Sequence, residues 1–435
     1  MPPPDPLNVL IVAIGSHGDV HPFVGYAIEM RRRGHRVTVL ANGHFASLVT
    51  GAGLAHVPLG TDDEYRAMTD DPELWHRTRG FKAVFRRGVI PSLRLVYDAV
   101  AGLHEPGRTL VVGSSIALAA RVAQDKLGFP MATVHLAPAI FRSLVAPSKL
   151  PGMVMPAWCP AWVKRSIWEF GDKHVVDPVI CPGLNAFRAE VGLPPVRRVL
   201  DAWWNAADLI VGAFPDWYAT PAPDWWPQTR LAGFPLWDER GVTALPDGLE
   251  AFLASGDAPI AFTPGSAMRF GRPFFTAAAD ACRRLGRRGL LLTRFAEQVP
   301  TDLPPGVIHV PFAPFSQLLP RCAALVHHGG IGTTSQGLAA GVPQLVMPMS
   351  HDQPDNALRV MRLGVGDALA PRWFTGRRVA ARLGALLGSA DVRRRCADVV
   401  QKFGADDGIA RACDLIESLA TRTHGTQPHP APTAA

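Results

Sequence analysis

Ten short apolar runs, in two sets of five, are spaced along the chain by longer stretches that suit helices. This alternation limits the fold more than any other feature of the sequence. The first set is NVLIVAIG (8–15), HRVTVLAN (35–42), TLVVGS (109–114), MATVHLAP (131–138) and DLIVGAFP (208–215). The second is APIAFTPGS (258–266), GLLLTR (289–294), VIHVPFAP (307–314), ALVHHGG (324–330) and QLVMPMS (344–350). Runs that stay apolar at consecutive positions are strands buried on both faces, the habit of parallel sheets covered by helices. The expected fold class is α/β, with two doubly wound, Rossmann-like domains facing across a cleft. The polar, turn-rich WDERGVTALPDG (237–248) marks the join, so the domains are expected at 1–238 and 239–420. Residues 376–420 read as helices, and a disordered tail is expected over 421–435.

A chain of 435 residues with 48% hydrophobic and 19% charged side chains can fill two such cores. No apolar run reaches the roughly 20 residues that span a bilayer. The opening MPPPDPLNVL lacks the basic start of a secretory signal, and the six cysteines show no metal-ligand spacing, so a cytoplasmic protein without a metal site is expected. The net charge of +7 comes from dispersed clusters such as Arg31 to Arg33 and Arg393 to Arg395. Such clusters suit solvated helix faces, and no nucleic-acid partner is expected without a recognition motif. GFKAVFRRGVI (80–90) fits either a packing helix or a peripheral contact with the inner membrane face.

In open parallel sheets, ligands sit beyond the carboxyl ends of strands. The fourth run of the second set ends there in His327, His328, Gly329, Gly330 and Gly332. Glycines allow a tight turn and a close approach, and a helix starting near Thr333 would aim its free N–H groups at an anion. His328 would add a side-chain donor. Taken alone, a G-G-x-G turn with two core histidines is the plainer reading. Other strand ends of the same sheet add TPGS (263–266), with Ser266, the aromatic Phe312, and HDQPDN (351–356), whose carboxylate and amides suit sugar hydroxyls.

The order FAPFSQLLP (312–320), HHGGIGTTSQGLAAGVPQ (327–344), DQPDNA (352–357) resembles the donor-binding signature of the UDP-glycosyltransferase-like superfamily of GT-B fold, inverting enzymes. The opening IGSHGDVHPFVGYA (14–27) is similar to its bacterial sterol and antibiotic branch. YRAMTDDPELW (65–75), NAFRAEVGLPP (185–195) and GFPLWD (233–238) resemble the rhamnosyltransferase chain of rhamnolipid synthesis. The resemblance covers nearly the whole chain apart from the tail. It implies a nucleotide-sugar donor used as substrate, with no cofactor, and a hydrophobic, hydroxylated acceptor. His328 and the backbone over Gly330, Gly332 and Thr333, helped by Ser266, would hold the diphosphate. Phe312 stands where the family usually has a tryptophan on the nucleobase. Asp352 and Gln353 match the pair that touches the sugar. Gln336 replaces the ribose-binding glutamate of plant members, leaving UDP and dTDP both open.

Asp19 aligns with the family's catalytic base, although on residues alone it serves equally well as an N-cap for the following helix. His17 and His21 are rival bases, and His17 is also placed at the acceptor. Ten of the eleven tryptophans precede residue 238. LPGMVMPAWCPAWVKRSIWEF (150–170), with Trp158 and Trp162, reads as an adaptable acceptor pocket or lid, or equally as a buried connecting helix. The implied reaction is inverting transfer of a hexose or deoxyhexose to a lipid or secondary-metabolite hydroxyl. A rhamnosyltransferase for 3-hydroxyacyl lipids and a non-catalytic, donor-binding auxiliary chain are the alternatives.

Overall fold

The computed structural model of the protein describes residues 6–151, 155, 156, 158–404 and 407–422. The first sheet contains β1 (Asn8–Val12), β2 (Arg36–Ala41), β3 (Ala55–Pro58), β4 (Thr109–Ser114), β5 (Met131–His135), β6 (Leu209–Gly212) and β7 (Thr229–Leu231). Its order is β3-β2-β1-β4-β5-β6-β7, parallel throughout. The second contains β8 (Ile260–Thr263), β9 (Gly289–Leu292), β10 (Val307–Val310), β11 (Ala324–His327), β12 (Gln344–Val346) and β13 (Gly366–Ala368), in the order β10-β9-β8-β11-β12-β13. All ten expected runs are strands. The three additional ones, β3, β7 and β13, lie at sheet edges and are only partly covered. An edge strand needs no continuous apolar run, so its sequence carries a weaker signal.

Central strands are covered on both sides, as their composition requires. Val9 and Ile11 of β1 join one core with Phe23, Tyr26 and Met30 of the first helix, and Leu10 and Val12 join another with Val96, Val122 and Ile180. The last helix, Gly408–Arg422, departs from the expected partition. Its stripe of Ala412, Cys413, Ile416 and Leu419 packs into the first domain, and Arg33 donates to Asp414 and Glu417 at 2.6 Å each. Gly408 allows this crossing, because a Cβ there would lie 2.5 Å from the Phe234 carbonyl oxygen. Residues 408–422 therefore complete the first domain. The same helix carries the first two residues assigned to the expected tail, and the remainder, 423–435, lies outside the described residues.

No helix among the described residues is long and apolar enough to cross a membrane. In the 80–90 segment, Phe85 and Val89 are buried, Phe81 and Val84 pack beside them, and Arg87 pairs with Asp71. Its apolar side is thus spent on the core rather than offered to a lipid surface. The six cysteines are free thiols.

Candidate functional site

Each sheet reverses its winding at one point: between β1 and β4 in the first, and between β8 and β11 in the second. Loops that leave a parallel sheet on opposite sides open a crevice there. The loops at those points are Ile14 to Ser16 after β1, Pro264 to Ser266 after β8, and His328 to Gly330 after β11. Topology therefore gathers the candidate residues that local sequence only suggested.

The two histidines after β11 differ in role. His327 is fully buried, with Nε2 at 2.9 Å from Gln344 Oε1 and Nδ1 accepting the Gly329 N–H at 3.1 Å, so it fastens the turn from within. His328 Nδ1 is buried without a hydrogen-bond partner, as is Ser350 Oγ beyond β12. A buried polar atom left without a partner beyond a strand end is free to meet a polar ligand. Burial, aided by His351, lowers the His328 imidazole to about 4, so it offers a neutral N–H rather than a positive charge. Gly329 and Gly265 have φ of 94° and 105°, in the left-handed region that glycine tolerates. The next helix begins at Ile331, two residues before the expected start, with Gly330 as its cap. That shift leaves the N–H groups of Gly332 and Thr333 in the open first turn.

Asp352 Oδ2 accepts from Ile331 N at 3.2 Å and from Asn356 Nδ2 at 2.7 Å, so this carboxyl lies at the helix N-terminus. Gln353 spends its Oε1 on the N–H groups of Met349 and Ser350, leaving its Nε2 to donate. Ser266 is exposed and Phe312 half-buried. Gln336 Nε2 donates to the Leu236 carbonyl of the interdomain connection at 3.3 Å.

Across the crevice, Ser16 caps the first helix and Asp19 sits in its first turn. Asp19 is therefore not the N-cap; its Oδ2 accepts from Ser16 N at 2.7 Å and from Ser16 Oγ at 3.0 Å. Gly15, with φ of 136°, is needed here, since a Cβ would fall 2.4 Å from that oxygen. Both contacts fall on Oδ2, and burial raises the carboxyl above its usual range against the pull of those bonds. His17 is differently engaged. Arg294 Nη1 donates to His17 Nε2 at 2.7 Å, which puts the ring proton on Nδ1 and takes up the lone pair a base would use. His21 Nε2 lies 3.0 Å from Glu239 Oε1.

The two sides meet. A Cβ on Gly332 would come within 3.9 Å of Gly18, one residue before Asp19. Burial pushes Asp352 up to about 7, and the charge of Asp19 adds to the rise, while bonds from Asn356 and Ile331 oppose it. A carboxyl raised in the folded state stabilises the fold fully below its unfolded value and loses that contribution as pH rises through about 7. Asp352→Asn is thus expected to melt about 2 to 4 °C above wild type at alkaline pH and alongside it in acid. Melting curves across pH check this; a shift independent of pH would assign the change to packing.

Trp158 and Trp162 stand 83% and 72% exposed, and no hydrogen bond or ring contact among the described residues ties them to Asp19 or the glycine turn. The helix Ala161–Gly171 buries Lys164 and sets Trp168 under Arg142, which turns Trp162 outward. Gly152, Met153, Val154 and Ala157 of that expected pocket lie outside the described residues. Sequence reasoning missed Arg294, whose guanidinium lies 5.0 Å from the Phe312 ring centre and bridges toward Glu239. A charged residue just beyond a strand end was the available signal.

Residues 9–132 match the glycosyltransferase family 28 N-terminal domain, and residues 291–411 match the erythromycin biosynthesis protein CIII-like C-terminal domain. The chain is 30% identical over 449 residues to the O-mycaminosyltylonolide 6-deoxyallosyltransferase of Streptomyces fradiae, covering 97% of this chain and 100% of that protein. Among solved structures it is similar to the glycotransferase of kitacinnamycin, with a TM-score of 0.69 and 22% identity over 96% of this chain and 100% of that one. A spinosyn rhamnosyltransferase complexed with thymidine diphosphate superposes with a TM-score of 0.66 at 18% identity, covering 94% and 100%. With two facing Rossmann-like sheets and these matches, the chain belongs to the UDP-glycosyltransferase-like superfamily of GT-B glycosyltransferases, enzymes that use nucleotide sugars.

Proposed function

We propose that this enzyme transfers a hexose or deoxyhexose from a UDP- or dTDP-sugar to a hydroxyl of a hydrophobic secondary metabolite, by single displacement with inversion. The carrying observation is the approach of the Gly18–Asp19 turn, beyond one switch point, to Gly332 beyond the other and to Asp352 after the neighbouring β12. The acceptor oxygen attacks the anomeric carbon and passes its proton to Asp19, while the bond from that carbon to the diphosphate oxygen breaks. Charge growing on the leaving diphosphate meets the N–H groups of Gly332 and Thr333 and the neutral His328, donors already fixed in place. Asp352 and Gln353 take the sugar hydroxyls, and Phe312 takes the base. The macrolide glycosyltransferase relative supports a secondary-metabolite acceptor, and the relative complexed with thymidine diphosphate keeps dTDP beside UDP as the donor nucleoside.

A panel of UDP- and dTDP-sugars followed by thermal shift, then transfer assays on hydrophobic alcohols, tests the reading, since ligand binding raises stability by mass action. A chain that binds donor and transfers nothing would be an auxiliary subunit instead. Because the helix end and His328 supply the diphosphate contacts, transfer is expected to continue in excess EDTA. Loss of activity on chelation, restored by magnesium or manganese, would overturn that assignment of charge.

A further inference from the structure

Beyond β6, the first domain sends Tyr218 into the second. Its ring is 4% exposed, in an apolar cluster that mixes Phe214 and Phe234 with Val346, Ala357 and Val360. Its hydroxyl donates to Asn356 Oδ1 at 3.0 Å, and Asn356 is fully buried. The two hydrogens of that amide go to the Gly329 carbonyl at 2.9 Å and to Asp352 Oδ2 at 2.7 Å. One side chain thus joins the glycine turn to the carboxyl assigned to the sugar. An amide is nearly symmetric in shape, so its partners decide which end faces where. The Tyr218 hydroxyl satisfies Oδ1, and burial holds its pKa well above the usual range, so it remains a donor. Flipping Asn356 would set an oxygen against two other oxygens.

The joint is braced around this contact. Arg359 Nη1 donates to the Tyr218 carbonyl at 2.8 Å and its Nε to Asp355 at 2.7 Å, while the Lys149 N–H of the first domain donates to Asp355 at 2.8 Å. We propose that Tyr218 is a positioning residue through which the acceptor domain orients Asn356, and so Asp352, making affinity for the sugar part of the donor depend on domain docking. The proposal rests on Asp352 as a sugar contact.

Calorimetric binding tests it with UDP-glucose and dTDP-glucose against UDP and dTDP, using wild type, Tyr218→Phe, Asp352→Asn and the double variant. Tyr218→Phe is expected to lose about 5- to 20-fold affinity for the nucleotide sugar that wild type binds, the span a lost buried hydrogen bond allows. Affinity for the free nucleoside diphosphate should stay within about twofold, and the double variant should be no weaker than Asp352→Asn, since both act through one carboxyl. Equal losses for both ligands, no loss for either, or additive losses would overturn the proposal. If Asp352→Asn discriminates between the ligands and Tyr218→Phe does not, only the positioning role fails. If Asp352→Asn does not discriminate, the sugar-contact reading fails and takes the proposal with it.

Discussion

Asp19→Asn is expected to lower kcat by roughly 10² to 10⁴ while leaving donor affinity close to wild type. The variant keeps the shape of the carboxyl, and its Oδ1 can still accept the Ser16 N–H and hydroxyl that now meet Oδ2. Only proton acceptance is lost. Asp19→Ala should lose similar activity and, with the first-turn bonds gone, about 1 kcal/mol of stability as well. Single-turnover sugar transfer and melting curves for both variants separate these effects. The pH profile adds a check, because the charge of Asp19 helps to raise Asp352. Removing it should move the acid limb of donor binding to lower pH. Full activity in Asp19→Asn would leave Asp19 a helix-end residue and return the search to His21, since His17 Nε2 is already held by Arg294.

Gly330→Asp should weaken donor binding by roughly 10²-fold or more, from repulsion at a helix N-terminus together with a steric clash. A Cβ at this position would lie 2.6 Å from His328 Nε2, so the substitution displaces the imidazole as well as adding negative charge beside the first-turn N–H groups. Gly330→Ala separates the two causes. It keeps the crowding without the charge and is expected to bind donor with intermediate affinity. Calorimetry on folded variants is the measurement. Wild-type affinity in Gly330→Asp would remove the diphosphate from this helix end.

Nine inner strands were legible because a strand covered on both faces must be apolar at every position, a local property that survives in a single sequence, and the edge strand β10 was legible from its own β-branched Val307, Ile308 and Val310. The glycine turn was legible for a similar reason: His327, His328 and three nearby glycines make little sense unless the backbone bends sharply at a strand end. The edge strands β3, β7 and β13 escaped, because their pairing comes from a neighbour rather than from their own composition. The stripe on the last helix was visible as a stripe, yet nothing local states which sheet it covers, and folding gave it to the first domain.

The site divided along the same line. Sequence pointed to Asp19, His328 and Asp352 separately; the strand order placed the loops of Asp19 and His328 at opposed switch points, with the Asp352 loop after the neighbouring β12, and the packing of the two domains then set one carboxyl within electrostatic reach of the other. Arg294 with His17, and Tyr218 with Asn356, join residues 277 and 138 positions apart. Such pairs leave no periodic trace along the chain. A hydrogen bond depends on distance and direction in space, and those exist only after both cores have closed and fixed the angle between the domains.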